Sequence, residues 1–373
     1  MHTDLCDRFG IDYPIFVFTP SEKVAAAVSR AGGMGVLGCV RFNHPDDLEA
    51  VLQWMDANTD GKPYGVDVVM PAKVPTEGTA VDIDKLVPQS HRDFVAKTLA
   101  DLGVPPLPEA ATRNEGTLGW LHSIARSHVE VALRHPIKLI ANALGSPPKD
   151  VIDQVHEAGV PIAALAGSAK HAGRHVDNGV DIVVAQGHEA GGHTGEIGSM
   201  VLWPEIVDAV SDRAAVLAAG GIGTGRQVAA ALALGAQGVW MGSAFLTSAE
   251  YDLGVRLPSG QSVIQEAMLA ATSADTVRRR IYTGKPARLL KSRWTDAWDA
   301  DGAPEPLPMP LQNILVSEAH QRMSESSDPT TVAMPVGQIV GRMNEIRPVA
   351  DIIAELVAGF ESATRKLDTI RDS

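Results

Sequence analysis

The chain is short of sulfur, aromatic rings and positive charge. Cys6 and Cys39 are its only cysteines. They offer no disulfide framework and no CxxC metal signature, and they fit a reducing compartment. Aromatic residues make up 5% of 373 positions. The formal net charge is −13, which argues against a nucleic-acid binder or a basic membrane-surface protein. No apolar run approaches the roughly 18 residues expected of a transmembrane helix. The first residues, Met1–Arg8, lack the apolar stretch of a secretory signal. The expectation is a cytoplasmic protein without membrane or nucleic-acid partners. Low-complexity tracts are absent too.

What is present is an ordinary globular composition, 45% hydrophobic and 21% charged. Short β-branched runs alternate with helical patterns through the first two thirds. Strands are expected at Tyr13–Phe18, Gly35–Val40, Tyr64–Met70, Lys138–Leu144, Pro161–Ala166, Asp181–Ala185, Ala215–Ala219 and Gly238–Ser243. Amphipathic helices are expected at Ser21–Ala31, Pro45–Ala57, Pro148–Ala158, Ser168–Asn178, Trp203–Ser211 and Thr224–Leu234. This alternation predicts an α/β fold, with parallel βα units closed into a (β/α)8 TIM barrel. Several strands are apolar throughout, as they must be when helices cover the outside and side chains fill the inside.

Two regions break the rhythm. Residues 73–135 are too long for one crossover and read as a helical insertion. Its helical patterns, Gln89–Asp101 and Thr117–Arg134, are divided by the Pro/Gly-rich stretch Gly103–Gly119. Residues 248–373 carry no further βα repeat. Helical patterns at Ser262–Ser273 and Pro348–Phe360 flank the Pro-rich, acidic segment Asp299–Pro310. The expected division is a barrel over 1–247, a helical cap or substrate domain over 248–340, and a helix over 341–373 that returns to the barrel. Arg365–Ser373 is expected to fray.

The richest stretch for chemistry is Gln186-Gly187-His188-Glu189-Ala190-Gly191-Gly192-His193-Thr194-Gly195. It follows a strand and sets two histidines, a glutamate and a glutamine among glycines. Glycine lets a backbone approach a ligand and adopt positive φ, and histidine exchanges protons near neutral pH. The stretch reads as a cofactor-facing loop carrying a base. A zinc helix of the H-E-x-x-H type does not fit, because the histidines are one residue too far apart and Gly191-Gly192 disfavours a helix. No metal is expected. A glycine-rich turn with solvated histidines is the plain alternative.

A second glycine cluster ends the seventh and eighth units. It comprises Gly220, Gly221 and Gly223, followed by Trp240-Met241-Gly242-Ser243. In (β/α)8 enzymes these loops often bind phosphate. A Rossmann loop fails on spacing, since Arg226 stands where its third glycine belongs. Two ordinary glycine turns remain the alternative.

Together these sites resemble the nitronate monooxygenase family, formerly the 2-nitropropane dioxygenases. The likeness extends to Tyr13-Pro14-Ile15, Ala25–Gly35, Asp275–Arg288 and Gly337-Gln338. The Gln-Gly-x-Glu-Ala-Gly-Gly-His motif is shared with flavin-dependent enoyl and quinone reductases. The resemblance implies FMN at the C-terminal mouth of the barrel. It assigns Gln186, Gly191 and Gly192 to the flavin, and Gly220, Gly221, Trp240, Met241, Gly242 and Ser243 to the phosphate end. His193 matches the histidine that acts beside the ring, with His188 ranked second. The implied reaction is oxidation of a small alkyl nitronate by O2 to a carbonyl compound and nitrite. Reduction of an enoyl thioester or quinone by NAD(P)H is the alternative, and a non-catalytic flavin protein a third reading. A homodimer is also expected. Two departures lie near the reacting face. Val17-Phe18-Thr19-Pro20-Ser21 replaces the usual Gln-Ala-Pro-Met, and Asp67 replaces an asparagine that contacts the cofactor.

Overall fold

The computed structural model describes residues 1–70, 86–107 and 122–373. Eight parallel strands close into a barrel. They are β1 (Ile15–Thr19), β2 (Met34–Gly38), β3 (Tyr64–Val68), β4 (Leu139–Asn142), β5 (Ile162–Ala166), β6 (Ile182–Gln186), β8 (Ala215–Ala219) and β9 (Gly238–Met241). A two-residue strand, β7 (Gly192–His193), lies outside the barrel. Closure comes from β9 pairing with β1, Phe16 opposite Trp240. Each barrel strand overlaps one expected from the sequence.

Alternation along the strands sorts the side chains into two layers. Phe16, Met34, Val36, Leu139, Ile182, Val184, Leu217 and Trp240 fill the interior. Helix α1 (Asp4–Phe9) plugs the N-terminal end with Leu5, Cys6 and Phe9. Cys6 and Cys39 are both buried and free, so they act as small core residues. The outward residues meet a ring of helices. These include α2 (Glu22–Arg30), α3 (Pro45–Asn58), α6 (Lys149–Glu157), α7 (Ala169–Asp177), α8 (Ser199–Val210) and α9 (Gly225–Ala233). Ser21, Ser168 and Thr224 cap α2, α7 and α9 with their hydroxyls, satisfying otherwise orphaned N–H groups. Gly35 is required for packing. A Cβ there would lie 2.0 Å from the Ala25 carbonyl oxygen of α2.

Between β3 and β4 stand α4 (Gln89–Asp101) and α5 (His122–Ala132). Helix α5 packs on α3 and β3, where the third βα unit needs its helix, whereas α4 packs on α12 (Leu311–Ser324) of the later region. The stretch expected to divide the two helices runs into 108–121, outside the described residues.

After the barrel come α10 (Val263–Leu269), β10 (Thr276–Arg279), β11 (Ala287–Leu290) and α11 (Arg293–Trp298). Strands β10, β11 and β7 form an antiparallel sheet. The sequence gives no alternation there, because arginines occupy both faces of β10, so these strands went unread. Four of the scarce aromatics meet where this region packs on α4. Phe94, Trp298, Trp294, His320 and Tyr282 form a continuous chain of ring contacts. Helix α13 (Val349–Asp372) returns to lie on α9 and α2. It stays helical through the stretch expected to fray. Among the described residues no helix is long and apolar enough to cross a membrane.

Candidate active site

The loop after β6 is held from three sides. Gly187 N–H donates to the Ala219 carbonyl at 3.0 Å, fixing the loop to β8. The Glu189 carboxylate accepts from Ser199 N–H at 3.0 Å and from Ser199 Oγ at 3.0 Å. It thereby caps α8, where an acid also suits the positive end of the helix dipole. Helix α8 accordingly begins at Ser199, ahead of the expected Trp203. From the other side, Arg288 Nε donates to the His188 carbonyl at 3.1 Å. Arg278 donates to Thr194 Oγ1 at 3.1 Å and to the Thr194 carbonyl at 2.8 Å. These arginines of β10 and β11 are site-building residues that sequence reasoning missed. Their one signal was their presence in the 275–288 segment that carried the family likeness.

Gly191 and Gly192 serve different needs. A Cβ on Gly191 would lie 2.7 Å from the Val336 backbone. Gly192 has φ +73 and open space beyond it, a conformation that glycine adopts without strain. The reversal at Gly192 lets β7 pair with β11, His193 opposite Ala287. His193 Nε2 then meets Thr283 Oγ1 at 2.6 Å. Thr283 is fully buried. Burial, reinforced by the nearby Lys285 ammonium, pushes His193 down to about 4, so the imidazole is neutral near pH 7. The Thr283 hydroxyl orients the ring, as donor or acceptor to Nε2. His188, in contrast, meets the Gly195 carbonyl with Nδ1 at 3.2 Å and braces its own loop.

The inner wall of the mouth follows from strand alternation. Gln186 continues the inward series Ile182, Val184 and is partly exposed at the rim. Asp67 is inward on β3 and 3% exposed. Burial pushes its carboxyl up to about 8. Phe18 and Leu165, partly exposed, pack on the interior core below.

The glycine cluster lies beside this wall. Gly220 and Gly221 have φ +103 and +69. Among the described residues, the N–H groups of Gly221, Ile222, Gly242 and Ser243 donate to no protein acceptor. Two sets of donors thus stand ready at the ends of the adjacent strands β8 and β9, an arrangement suited to an anion. Gln227 braces the first set. Its Oε1 accepts from Gly223 N–H at 3.0 Å, and its Nε2 donates to the Gly221 carbonyl. Ser243 Oγ accepts from Gly337 N–H at 2.9 Å, tying in the C-terminal region. Trp240 and Met241 are 6% and 2% exposed. Trp240 fills the barrel interior and Met241 packs outward against helices, so a role at the site falls to their backbone.

The family model for nitronate monooxygenase matches residues 4–359. A Mycobacterium tuberculosis protein named "Putative monooxygenase" is 45% identical, with 96% of each chain covered. The nitroalkane oxidase of Streptomyces ansochromogenes is 26% identical and superposes with a TM-score of 0.79, covering 97% of this chain and 99% of that one. FabK of Thermotoga maritima is also 26% identical, with a TM-score of 0.74 and 99% of each chain covered. The match along nearly the whole length, on a closed parallel barrel with its loop motif intact, means that this chain belongs to the nitronate monooxygenase family of oxidoreductase enzymes.

Proposed function

We propose that the chain binds FMN in the barrel mouth and oxidises small alkyl nitronates with O2, releasing a carbonyl compound and nitrite. The observation that carries this reading is His193, neutral and fixed by Thr283 in the loop that follows β6, beside the strands β8 and β9 whose ends carry N–H donors without a protein acceptor. Those donors, with the Ser243 hydroxyl, fit the phosphate of FMN. Gln186 and the glycine backbone at 191–192 fit the ring. Bound FMN would supply electron acceptance, the chemistry that no side chain here provides.

The protein's own part is positioning and proton control. A neutral His193 can take the α-proton of a nitroalkane at its unprotonated nitrogen, or hold a nitronate oxygen with its N–H. Lys285, exposed beside it, adds positive potential for an anionic substrate. Arg278 and Arg288 keep the loop closed on its partners and so keep His193 in place.

The likeness to FabK supports a second reading, NAD(P)H-dependent reduction of an enoyl thioester or a quinone on the same site. An anaerobic absorbance titration of the FMN-loaded protein separates the two. Reduction of the flavin by propionate 3-nitronate, with no response to NADPH, is the expected result. Rapid bleaching by NADPH alone would transfer the protein to the reductase reading.

A further inference from the structure

The proposed chemistry makes no use of the Asp67 carboxyl, and the fold handles that group unusually. Val66 and Val68 turn outward into the layer beneath α3 and α5. Gly65 and Asp67 therefore turn into the barrel. The register neighbours of Asp67 are Gly38 and Ala141, neither with a polar side chain. A Cβ on Gly38 would lie 2.9 Å from the Phe18 ring, so that ring closes over this corner. Asp67 is 3% exposed. No hydrogen bond or ion pair reaches its carboxyl among the described residues, whereas its backbone carbonyl accepts from Cys39 N–H at 2.8 Å.

Few other groups can titrate against it. On the β2 side stand Cys39, whose thiol burial and Asp67 itself push up, and Arg41, which is tied to Glu22. Strand β4 offers only Leu139, Ile140, Ala141 and Asn142, and β1 none that ionises. Tyr64 and Asp56 pair with each other on the outer side. A carboxylate without a counter-charge in such surroundings is costly, and the uncharged acid is much less so.

We propose that Asp67 serves as a neutral carboxylic acid, an O–H donor set in the wall of the flavin site, and that loss of its proton weakens cofactor binding. The inference rests on the FMN reading above. The protonated acid can donate to the carbonyl and ring-nitrogen acceptors of a flavin. The carboxylate can only accept, and meets those same atoms with negative charge. The up-shift to about 8 puts the change within reach of ordinary buffers.

Two measurements test this on the full chain, wild type against Asp67→Asn. The first is FMN affinity by fluorescence quenching between pH 7 and 9.5. Wild-type affinity falls about tenfold or more, whereas the variant changes by about twofold or less. Equal pH profiles in both proteins would overturn the proposal while leaving FMN binding intact. FMN binding by neither protein would sink the flavin reading itself. The second is thermal stability of the apo protein at pH 5 and pH 8, which needs no cofactor. Asp67→Asn gains over wild type, and the gain is larger at pH 8 by about 3 °C or more. A gain that does not change with pH means that the acid is not held neutral, and overturns the proposal independently of any flavin.

Discussion

At the scale of single residues, the site depends on an imidazole kept neutral and a hydroxyl that orients it. General-base catalysis by a positioned side chain contributes about 10²–10⁴-fold. His193→Asn is expected to lower turnover of a neutral nitroalkane, whose α-proton must be removed, about 100-fold or more while the protein stays yellow with FMN, and to affect a preformed nitronate less. Turnover at the wild-type rate would remove His193 from the mechanism. Thr283→Val is expected to lower kcat about tenfold or more with KM little changed, and Thr283→Ser to restore most of the rate. A Val variant that loses FMN and nitronate affinity together would instead mark Thr283 as packing alone. His193 and His188 were both legible as candidates in the sequence. Which of them meets a buried partner was not, because Thr283 lies 90 residues further along.

At the scale of elements, one loop binds three parts of the molecule together. Glu189 joins it to α8, Gly187 joins it to β8, and β7 joins it to β11. Removing a helix cap costs about 0.5–2 kcal/mol. Glu189→Ala is expected to lower unfolding free energy in denaturant titrations by about that amount, and to weaken FMN binding because the loop loosens. Arg288→Lys is not expected to substitute for Arg288, since a lysine cannot reach His188 and Thr276 with one rigid fork. Limited proteolysis within 188–195 would report the loosened loop in both variants. The barrel strands were legible because each is a short apolar run followed by a helical period. Strands β7, β10 and β11 were not, since their pairing is decided by a glycine reversal and by arginines that bond to a distant loop.

At the scale of the whole molecule, the C-terminal helix completes the barrel's outer layer. Val349, Ile352, Ile353 and Leu356 are buried against it. Gly225 and Gly359 let the backbones of α9 and α13 approach, for a Cβ on Gly225 would lie 2.2 Å from the Leu356 carbonyl oxygen. Truncation after residue 347 is expected to yield aggregated protein, since each large buried side chain lost costs about 2–5 kcal/mol. Truncation after residue 364 removes mostly exposed turns and is expected to leave the melting temperature within a few degrees. Acid should also act on the fold through its buried histidines. Burial pushes His193 and His320 from 6.5 to about 4, and lowers His128 and His175 as well. For these four histidines the unfolded chain binds more protons as pH falls from about 6.5 toward 4, so their contribution to stability declines over that window, while Asp67 acts in the opposite sense. Melting curves of Asp67→Asn, which lacks the opposing carboxyl, at pH 7 and pH 5 check the sign of the histidine effect.

The sequence by itself determined the eight barrel strands, most of the surrounding helices and the two glycine loops that end up at one mouth. These are local matters of hydrophobic period and backbone freedom, written into neighbouring residues. It also singled out Asp67, but not that its carboxyl would be left without a partner. Tertiary structure alone decided that α5 completes the third barrel unit while α4 joins the later region. It decided that Glu189 caps α8, that Arg278 and Arg288 hold the loop, and that Thr283 meets His193. Each of those outcomes joins residues far apart in the chain, where burial and hydrogen-bond geometry choose the partner and no local pattern can.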